Sequence, residues 1–142
     1  MNDLKILLVP TTGWFVAQGL KYVFRLRRNG FQIGDLYTSG GFPSSHTSST
    51  VALATFIGAT DVWGSHIFAV CAMFTAVVMY DAVGVRRIVG EHTKILTELA
   101  KKDGLTSRVR GIRTGHGHTP LEVLGGILVG AAIGLLFAAL AN

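Results

Sequence analysis

The chain has 142 residues, of which 49% are hydrophobic and only 15% are charged, and its formal net charge is +5. This composition is too apolar for a soluble domain of this length and indicates a single membrane-embedded domain, residues 1–142. A disulfide framework and a thiolate metal cluster are excluded, because the one cysteine, Cys71, lies in an apolar run.

The first half of the chain predicts three helices. Residues 4–24 are just long enough to cross a hydrocarbon core of about 30 Å. Their start has mixed charge, Pro10 and no small-residue cleavage site, so we expect this helix to remain in the mature protein. A basic connection then leads to a turn-rich string that suits the start of a second helix, over residues 44–59. After a short break without Lys or Arg, we expect the third helix over residues 66–85.

The second half predicts one surface helix and one further span. Residues 88–99 carry apolar side chains at helical spacing with Glu and Lys between them, which is typical of an amphipathic helix on a membrane surface. The last apolar span, residues 119–140, has Gly126, Gly130 and Gly134 at a spacing that allows close helix packing. We therefore predict an all-α membrane bundle of about four transmembrane helices plus one amphipathic surface helix.

Positive charge is concentrated in two connections. Twelve of the thirteen Lys and Arg residues lie between Lys21 and Arg113, in or beside the connections that follow the first and third helices. By the positive-inside rule we expect both connections in the cytoplasm. The same charge could set topology, attract anionic lipid headgroups or bind a phosphorylated substrate. We expect no nucleic-acid partner, because no recognition motif or stacking aromatic cluster accompanies the charge.

Polar side chains gather on the expected cytoplasmic side. Cations and hydroxyls near a helix start can hold a phosphate, and histidines can attack or protonate it. The residues concerned are Lys21, Arg28, Ser44, Ser45, His46, Arg86, Arg87, Arg113, His116, His118 and Glu122. Together they predict a phosphate site at the membrane surface.

Several of these residues also have structural uses. The Ser-Ser-His string at 44–46 could cap the second helix. Lys21 and Arg28 lie two helical turns apart on one face and could extend their charges to the interface instead of clamping a phosphate. Asp81 is costly in lipid, so we expect a structural ion pair with Lys21 or with one of the two arginines that follow it.

Two histidines near the last span have different prospects. His118 and Glu122 are four residues apart, so on a helix they would share a face and hydrogen-bond, as a nucleophilic imidazole and its orienting carboxylate do. His116 and His118 could instead ligate a metal, but no carboxylate or cysteine set completes such a site. The sequence therefore predicts a site without a bound metal ion.

The motifs resemble those of the type 2 phosphatidic acid phosphatases and vanadium-dependent haloperoxidases, and above all their divergent branch of short bacterial and plant membrane proteins. The branch pattern is present as Gly-Gly-Phe-Pro-Ser-Ser-His at 40–46, Asp-x-x-Gly-x-Arg-Arg at 81–87 and Gly-His-Thr-Pro at 117–120. Lys21 and Arg28 have the spacing of the superfamily's first motif, with Asn29 in place of its proline.

The resemblance implies hydrolysis of a phosphomonoester, or of a pyrophosphate, without a metal or another cofactor and through a phosphohistidine. It implies that His118 is the nucleophile, that Glu122 replaces the aspartate that orients it, and that His46 protonates the leaving alkoxide. The superfamily's third motif contains a further arginine, and in this chain three arginines could take its place. The implied phosphate-binding residues are Lys21, Arg28, Ser44, Ser45 and one or more of Arg86, Arg87 and Arg113.

A phospholipid substrate follows from a site at headgroup depth. Phosphatidylglycerophosphate and phosphatidic acid present their phosphates at the cytoplasmic face, which favours them over undecaprenyl pyrophosphate, and we expect an integral protein of the bacterial inner (plasma) membrane. A catalytically silent protein that binds lipid phosphates or assembles with partners is the alternative, and a transporter or channel subunit is a weaker one. Four helices make a thin wall around a buried site, which favours a homo-oligomer.

Overall fold

The computed structural model describes residues 3–29, 40–61, 63–105 and 117–141. Within these ranges the chain is all α and contains no strand, which confirms the predicted fold class. The helices in chain order are α1 (Asp3–Asn29), α2 (Ser45–Thr60), α3 (His66–Val83), α4 (Val85–Lys102) and α5 (Pro120–Ala141).

Helix α2 lies at the centre of the bundle and packs against α1, α3 and α5. The buried core joins Val9 of α1, Ala52 and Phe56 of α2, and Ala138 of α5. Large apolar side chains such as Val70 and others on α1, α3 and α5 face outward. An exterior of this kind suits lipid rather than water as the surrounding solvent.

The glycines of α5 bring its backbone into contact with α2. An added Cβ at Gly126, Gly130 or Gly134 would lie 2.5–2.6 Å from a backbone carbonyl oxygen of α2, closer than real Cβ atoms come. No side chain fits at these positions, so the predicted close packing is confirmed.

Helix α1 presents a four-residue repeat of buried positions to α2. Val9, Gly13, Ala17 and Lys21 are all buried, and the Ser48 hydroxyl donates to the Gly13 carbonyl oxygen at 2.9 Å. Because these positions share one helix face, Lys21 is carried into the bundle at the end of an otherwise small and apolar stripe.

Two stretches of the described chain are long and apolar enough to cross a membrane, His66–Lys102 and Pro120–Ala141. Helix α2 has 16 residues, which corresponds to about 24 Å of helix, less than a typical hydrocarbon core. The count of four transmembrane helices therefore stays a prediction.

Helix α4 follows α3 after a break at Gly84, and α3 ends at Val83, two residues before the predicted end of the third helix. Gly84 leaves helical geometry at φ −99° and ψ −93°. Among the described elements α4 packs only against α3, and its apolar side chains, including Ile88, Leu96 and Leu99, are exposed. The amphipathic helix is thus present, and its place on a membrane surface stays a prediction.

Candidate active site

The start of α2 is built from a glycine pair and a serine cap. Gly40 and Gly41 both have positive φ, at 91° and 97°, a conformation that glycine adopts without steric cost. The guanidinium of Arg25 donates to the Gly40 carbonyl oxygen at 3.0 Å and holds this turn against α1. Ser44 is the N-cap, and its oxygen accepts from the Thr47 hydroxyl at 3.0 Å and from the Thr47 N–H at 3.4 Å.

The start of α5 is a capping box. The Glu122 N–H donates to the Thr119 hydroxyl oxygen at 3.3 Å, and the Thr119 N–H donates to Glu122 Oε2 at 3.1 Å. Pro120 occupies the first helical position, where its missing N–H costs no hydrogen bond. Both the backbone and the side chain of Glu122 are fixed by this arrangement.

His118 is bound to the same carboxylate. Its Nδ1 lies 2.9 Å from Glu122 Oε2, and the side chain is buried, with 6% of the residue exposed. The expectation that both residues lie on one helix was wrong, because α5 begins at Pro120 and His118 precedes its cap. The pair meets because the capping box turns the carboxylate back toward the chain before the helix.

The hydrogen bond sets the state of the imidazole. When His118 is neutral, a carboxylate at Nδ1 requires the proton there, which leaves the lone pair on Nε2. Burial lowers the pKa of His118 below its ordinary value, and the charges of Lys21 and Arg86 lower it further, while Glu122 opposes the shift. At neutral pH the neutral form of the imidazole, with its lone pair at Nε2, is therefore favoured.

Backbone contacts join the two helix starts to the junction of α3 and α4. The Ser44 N–H donates to the Glu122 carbonyl oxygen at 2.9 Å, and the His118 N–H donates to the Ala82 carbonyl oxygen at 2.9 Å. A Cβ at Gly117 would lie 2.2 Å from the backbone nitrogen of Arg87, so only glycine fits there. Three segments distant in sequence thus meet around His118.

Lys21 brings a buried positive charge to this place. It is 5% exposed, and its ammonium forms no hydrogen bond with any residue that the structure describes. It interacts electrostatically with Glu122, with His118 and with His46, which lies exposed in the first turn of α2. A positive charge at this position, next to the two histidines, suits an anion as its neighbour.

Of the two later arginines that the structure describes, Arg86 is the one placed beside both histidines. Its charge acts on His46 and on His118, and its Nε is in close contact with Asp81 Oδ2. Arg87 instead pairs with Glu91, with 3.4 Å between Nε and Oε1, on the exposed side of α4. The ion pair expected for Asp81 is thus with Arg86.

The remaining predicted residues are placed less fully. Ser45 is buried in the first turn of α2, and Arg28 lies in the last turn of α1. The side chain of Arg28 and the whole of Arg113 and His116 lie outside the described residues, so their roles stay predictions.

Two contributing residues were not predicted. Thr119 could have been found from the Thr-Pro-Leu-Glu string, which has the spacing of a capping box. Arg25 lies one turn after Lys21 on the same face, but its bond to Gly40 depends on the fold.

The donor set suits an anion. In the described part of the chain no three His, Cys, Asp or Glu side chains lie close enough to hold a metal ion. Among the described residues, the charges that act on His118 are the Glu122 carboxylate, already bound twice, and the cations Lys21 and Arg86, of which Arg86 also contacts Asp81. A group with several negative oxygens, such as a phosphoryl group, complements this arrangement.

Comparison with known proteins agrees with these motifs. A family model described as the divergent PAP2 family matches residues 2–133. The chain is 32% identical over 114 residues to YuiD of Bacillus subtilis (strain 168), an uncharacterized membrane protein, and the match covers 71% of this chain and 72% of YuiD. No solved structure matches the chain. With nearly its whole length matched by the model, the chain belongs to the divergent PAP2 family.

Proposed function

We propose that the protein is an integral membrane phosphatase that removes the phosphate from a lipid phosphomonoester through a phosphohistidine. The substrate class is that of phosphatidylglycerophosphate and phosphatidic acid. The observation that carries the proposal is the His118–Glu122 pair, with His118 buried, beside the positively charged and largely buried side chain of Lys21. A neutral imidazole oriented by a carboxylate, next to a cation that lacks a bonded partner, suits nucleophilic attack on a phosphorus atom.

The first step forms the covalent intermediate. Nε2 of His118 attacks phosphorus, the bond between phosphorus and the glycerol oxygen breaks, and His46 in its protonated imidazolium form gives a proton to the departing alkoxide and becomes neutral. Glu122 Oε2 accepts from Nδ1 and stabilises the positive charge that develops on the ring. In the second step His46 takes a proton from water, the water oxygen attacks phosphorus, and the bond to Nε2 breaks.

The phosphoryl oxygens carry negative charge throughout both steps. Lys21 and Arg86 would stabilise them from α1 and from the start of α4, with Arg28 and Ser45 completing the set. The N-terminus of α2, which begins at Ser45, adds the partial positive charge of a helix end. Ser44 contributes by capping this helix end.

The site lies at the ends of helices with an apolar exterior, which supports a lipid substrate. We place the active site at the cytoplasmic face of a bacterial inner membrane, on the positive-inside argument. Copies of the chain would associate in the membrane, since the bundle is thin around the site.

The test is phosphate release by detergent-purified protein from phosphatidylglycerophosphate, phosphatidic acid and undecaprenyl pyrophosphate, with acid-labile phosphate on the protein followed in parallel. We expect turnover of the two glycerophospholipids. Vanadate binding without turnover of any substrate would contradict the proposal and support the alternative of a silent lipid-phosphate-binding protein.

A further inference from the structure

Two exposed aromatic side chains lie together at the edge of the site. Phe24, near the end of α1, and Phe42, in the turn before α2, have ring centroids 5.7 Å apart at an interplanar angle of 66°. Phe24 is 43% exposed and Phe42 41% exposed. They form an apolar surface between α1 and α5, which we call the aromatic shelf.

The shelf is fixed to the catalytic pair. The Phe42 ring lies on Gly125, where an added Cβ would be 2.3 Å from the ring's Cε2 atom. Gly125 is three residues after Glu122, about one helical turn. Ser44, two residues after Phe42, is hydrogen-bonded to the Glu122 carbonyl oxygen. The ring is therefore held about one turn from the carboxylate that orients His118.

Backbone contacts pack the segment that carries His118 against the neighbouring helices. Toward α3 and α4, the His118 N–H is bonded to Ala82 and Gly117 lies against the backbone of Arg87. Toward α2, Gly126 lies against the Ser44 carbonyl oxygen. On the side of α1 and α5, the aromatic shelf is an exposed apolar surface that adjoins this packed segment.

An apolar track continues from the shelf along α5. Leu121 and Leu128 lie four residues before and three residues after Gly125, on the same helix face, and are 67% and 66% exposed. The track thus runs from the level of Glu122 toward the middle of a helix apolar enough to span a membrane.

We propose that the aromatic shelf is the acyl-chain subsite of this protein, over which the hydrocarbon of a lipid monophosphate passes from the site into the bilayer. The inference rests on the proposed function and specifies its substrate as a long-chain lipid. Because phosphate and chain belong to one molecule, a phosphate beside Lys21 and His118 directs the first methylenes across Phe42. Water-soluble phosphomonoesters gain nothing from this contact.

The first test compares substrates. Phe42→Ala should lower kcat/KM for long-chain phosphatidic acid about tenfold, mainly through KM, since the lost apolar contact is made equally in ground and transition states. For a nitrophenyl phosphate the same variant should change kcat/KM less than twofold. Phe15→Ala removes an exposed aromatic from the outer face of α1 and should change neither value. Equal losses for both substrates with Phe42→Ala, or no loss for the lipid, would overturn the subsite.

The second test needs no turnover. The test uses a background in which Trp14 and Trp63 are replaced by Phe, so that Phe42→Trp carries the one tryptophan. Phosphatidic acid with brominated chains should quench its fluorescence at a lower mole fraction than phosphatidylcholine with the same chains does. Phe15→Trp should show no headgroup preference. Absence of a preference at position 42 would overturn the subsite. A preference retained by a protein without turnover would keep the subsite and reject the phosphatase proposal.

Discussion

The backbone N–H of Ser44 donates to the carbonyl oxygen of Glu122 at 2.9 Å, and this bond joins the starts of two helices. Ser44 caps α2, which carries His46 in its first turn, and Glu122 belongs to the capping box of α5, which follows His118. The relative position of the two histidines is therefore set by main chain rather than by flexible side chains.

Alanine substitution of the two histidines should stop the reaction at different steps. His118→Ala should form no phosphohistidine with any substrate, because the nucleophilic atom is gone. His46→Ala should fail with a lipid, whose alkoxide needs a proton, but should still transfer phosphate from nitrophenyl phosphate to His118. Hydrolysis rates and acid-labile phosphate on the protein distinguish the two.

Glu122→Gln should lie between these variants, with a loss of the order of 10²–10⁴ in kcat, because the ring loses its carboxylate and keeps its nucleophilic nitrogen. Circular dichroism of the purified variants provides the folding control. A His118→Ala protein with wild-type turnover would refute the phosphohistidine.

Lys21→Met should weaken vanadate binding by about 10- to 100-fold, the effect expected when a charge-assisted hydrogen bond is lost. The free energy of unfolding should not fall, because methionine fills the buried space of the lysine stem without a charge to desolvate. Titration of the purified protein with vanadate measures the first effect and thermal unfolding the second. Lys94→Met on exposed α4 is the matched control. Equal vanadate affinities for Lys21→Met and the wild type would show that Lys21 does not bind the phosphate and would leave it only the role of setting membrane topology.

The pH dependence should reflect the buried imidazole of His118. Because burial lowers its pKa below the ordinary value of 6.5, transfer of phosphate from an activated ester to His118 should lose half its rate only at a pH below 6.5. Glu122→Gln removes a group that raises this pKa, so it should move the acid limb to still lower pH. Single-turnover rates between pH 4.5 and about 8 test this, given the reference pKa range of histidine.

The lowered pKa of His118 also predicts how the free energy of unfolding changes with pH. The unfolded chain binds a proton at His118 more readily than the folded chain does, so this residue's contribution to the free energy of unfolding is present above pH 6.5 and is lost as the pH falls below it. A phosphate-transfer rate that falls to half its maximum at or above pH 6.5 would contradict the assignment of His118.

Gly130→Ala should destabilise the bundle by about 1–3 kcal/mol, because the new Cβ would lie 2.5 Å from the Ser48 carbonyl oxygen and the helices would have to separate. Gly19→Ala is the matched control, since nothing lies within 4 Å of a Cβ there, and it should stabilise α1 by about 0.5–1 kcal/mol. Thermal unfolding in detergent should give transitions that move in opposite directions. Similar shifts for both variants would contradict the contact.

Topology can be mapped with single cysteines in a Cys71→Ala background. Gly64 lies in the exposed turn before α3, and its replacement by Cys leaves the Ser65 cap intact. We expect Gly64→Cys to be labelled from outside and Lys101→Cys on α4 from the cytoplasm. The reverse pattern would invert the orientation and remove the argument for a cytoplasmic-face lipid.

Much of the fold follows from the sequence, because hydrophobic segments, glycine spacing and turn-rich strings are local signals. The helix boundaries at 44–45 and 66 were predicted closely for this reason. The placement of His118 before α5 was missed, although Pro120 indicates it, since proline belongs in a first helical turn. Spacing could not decide between Arg86 and Arg87, because that depends on which side of α4 faces the histidines. The contact of the Phe42 ring with Gly125 is a tertiary contact, and spacing could not predict it either.

The glycine contact between α2 and α5 has a consequence for how the family can vary. The glycines repeat every four residues against carbonyl oxygens that also repeat every four residues, so a shift that restores the contact must move the helices by four residues, about 6 Å along the axis. Such a shift would break the bond between Ser44 and Glu122 and would move His118 away from His46 by the same distance. We therefore expect variation within the family to fall on the outward-facing residues of α5 rather than on the glycines of this contact.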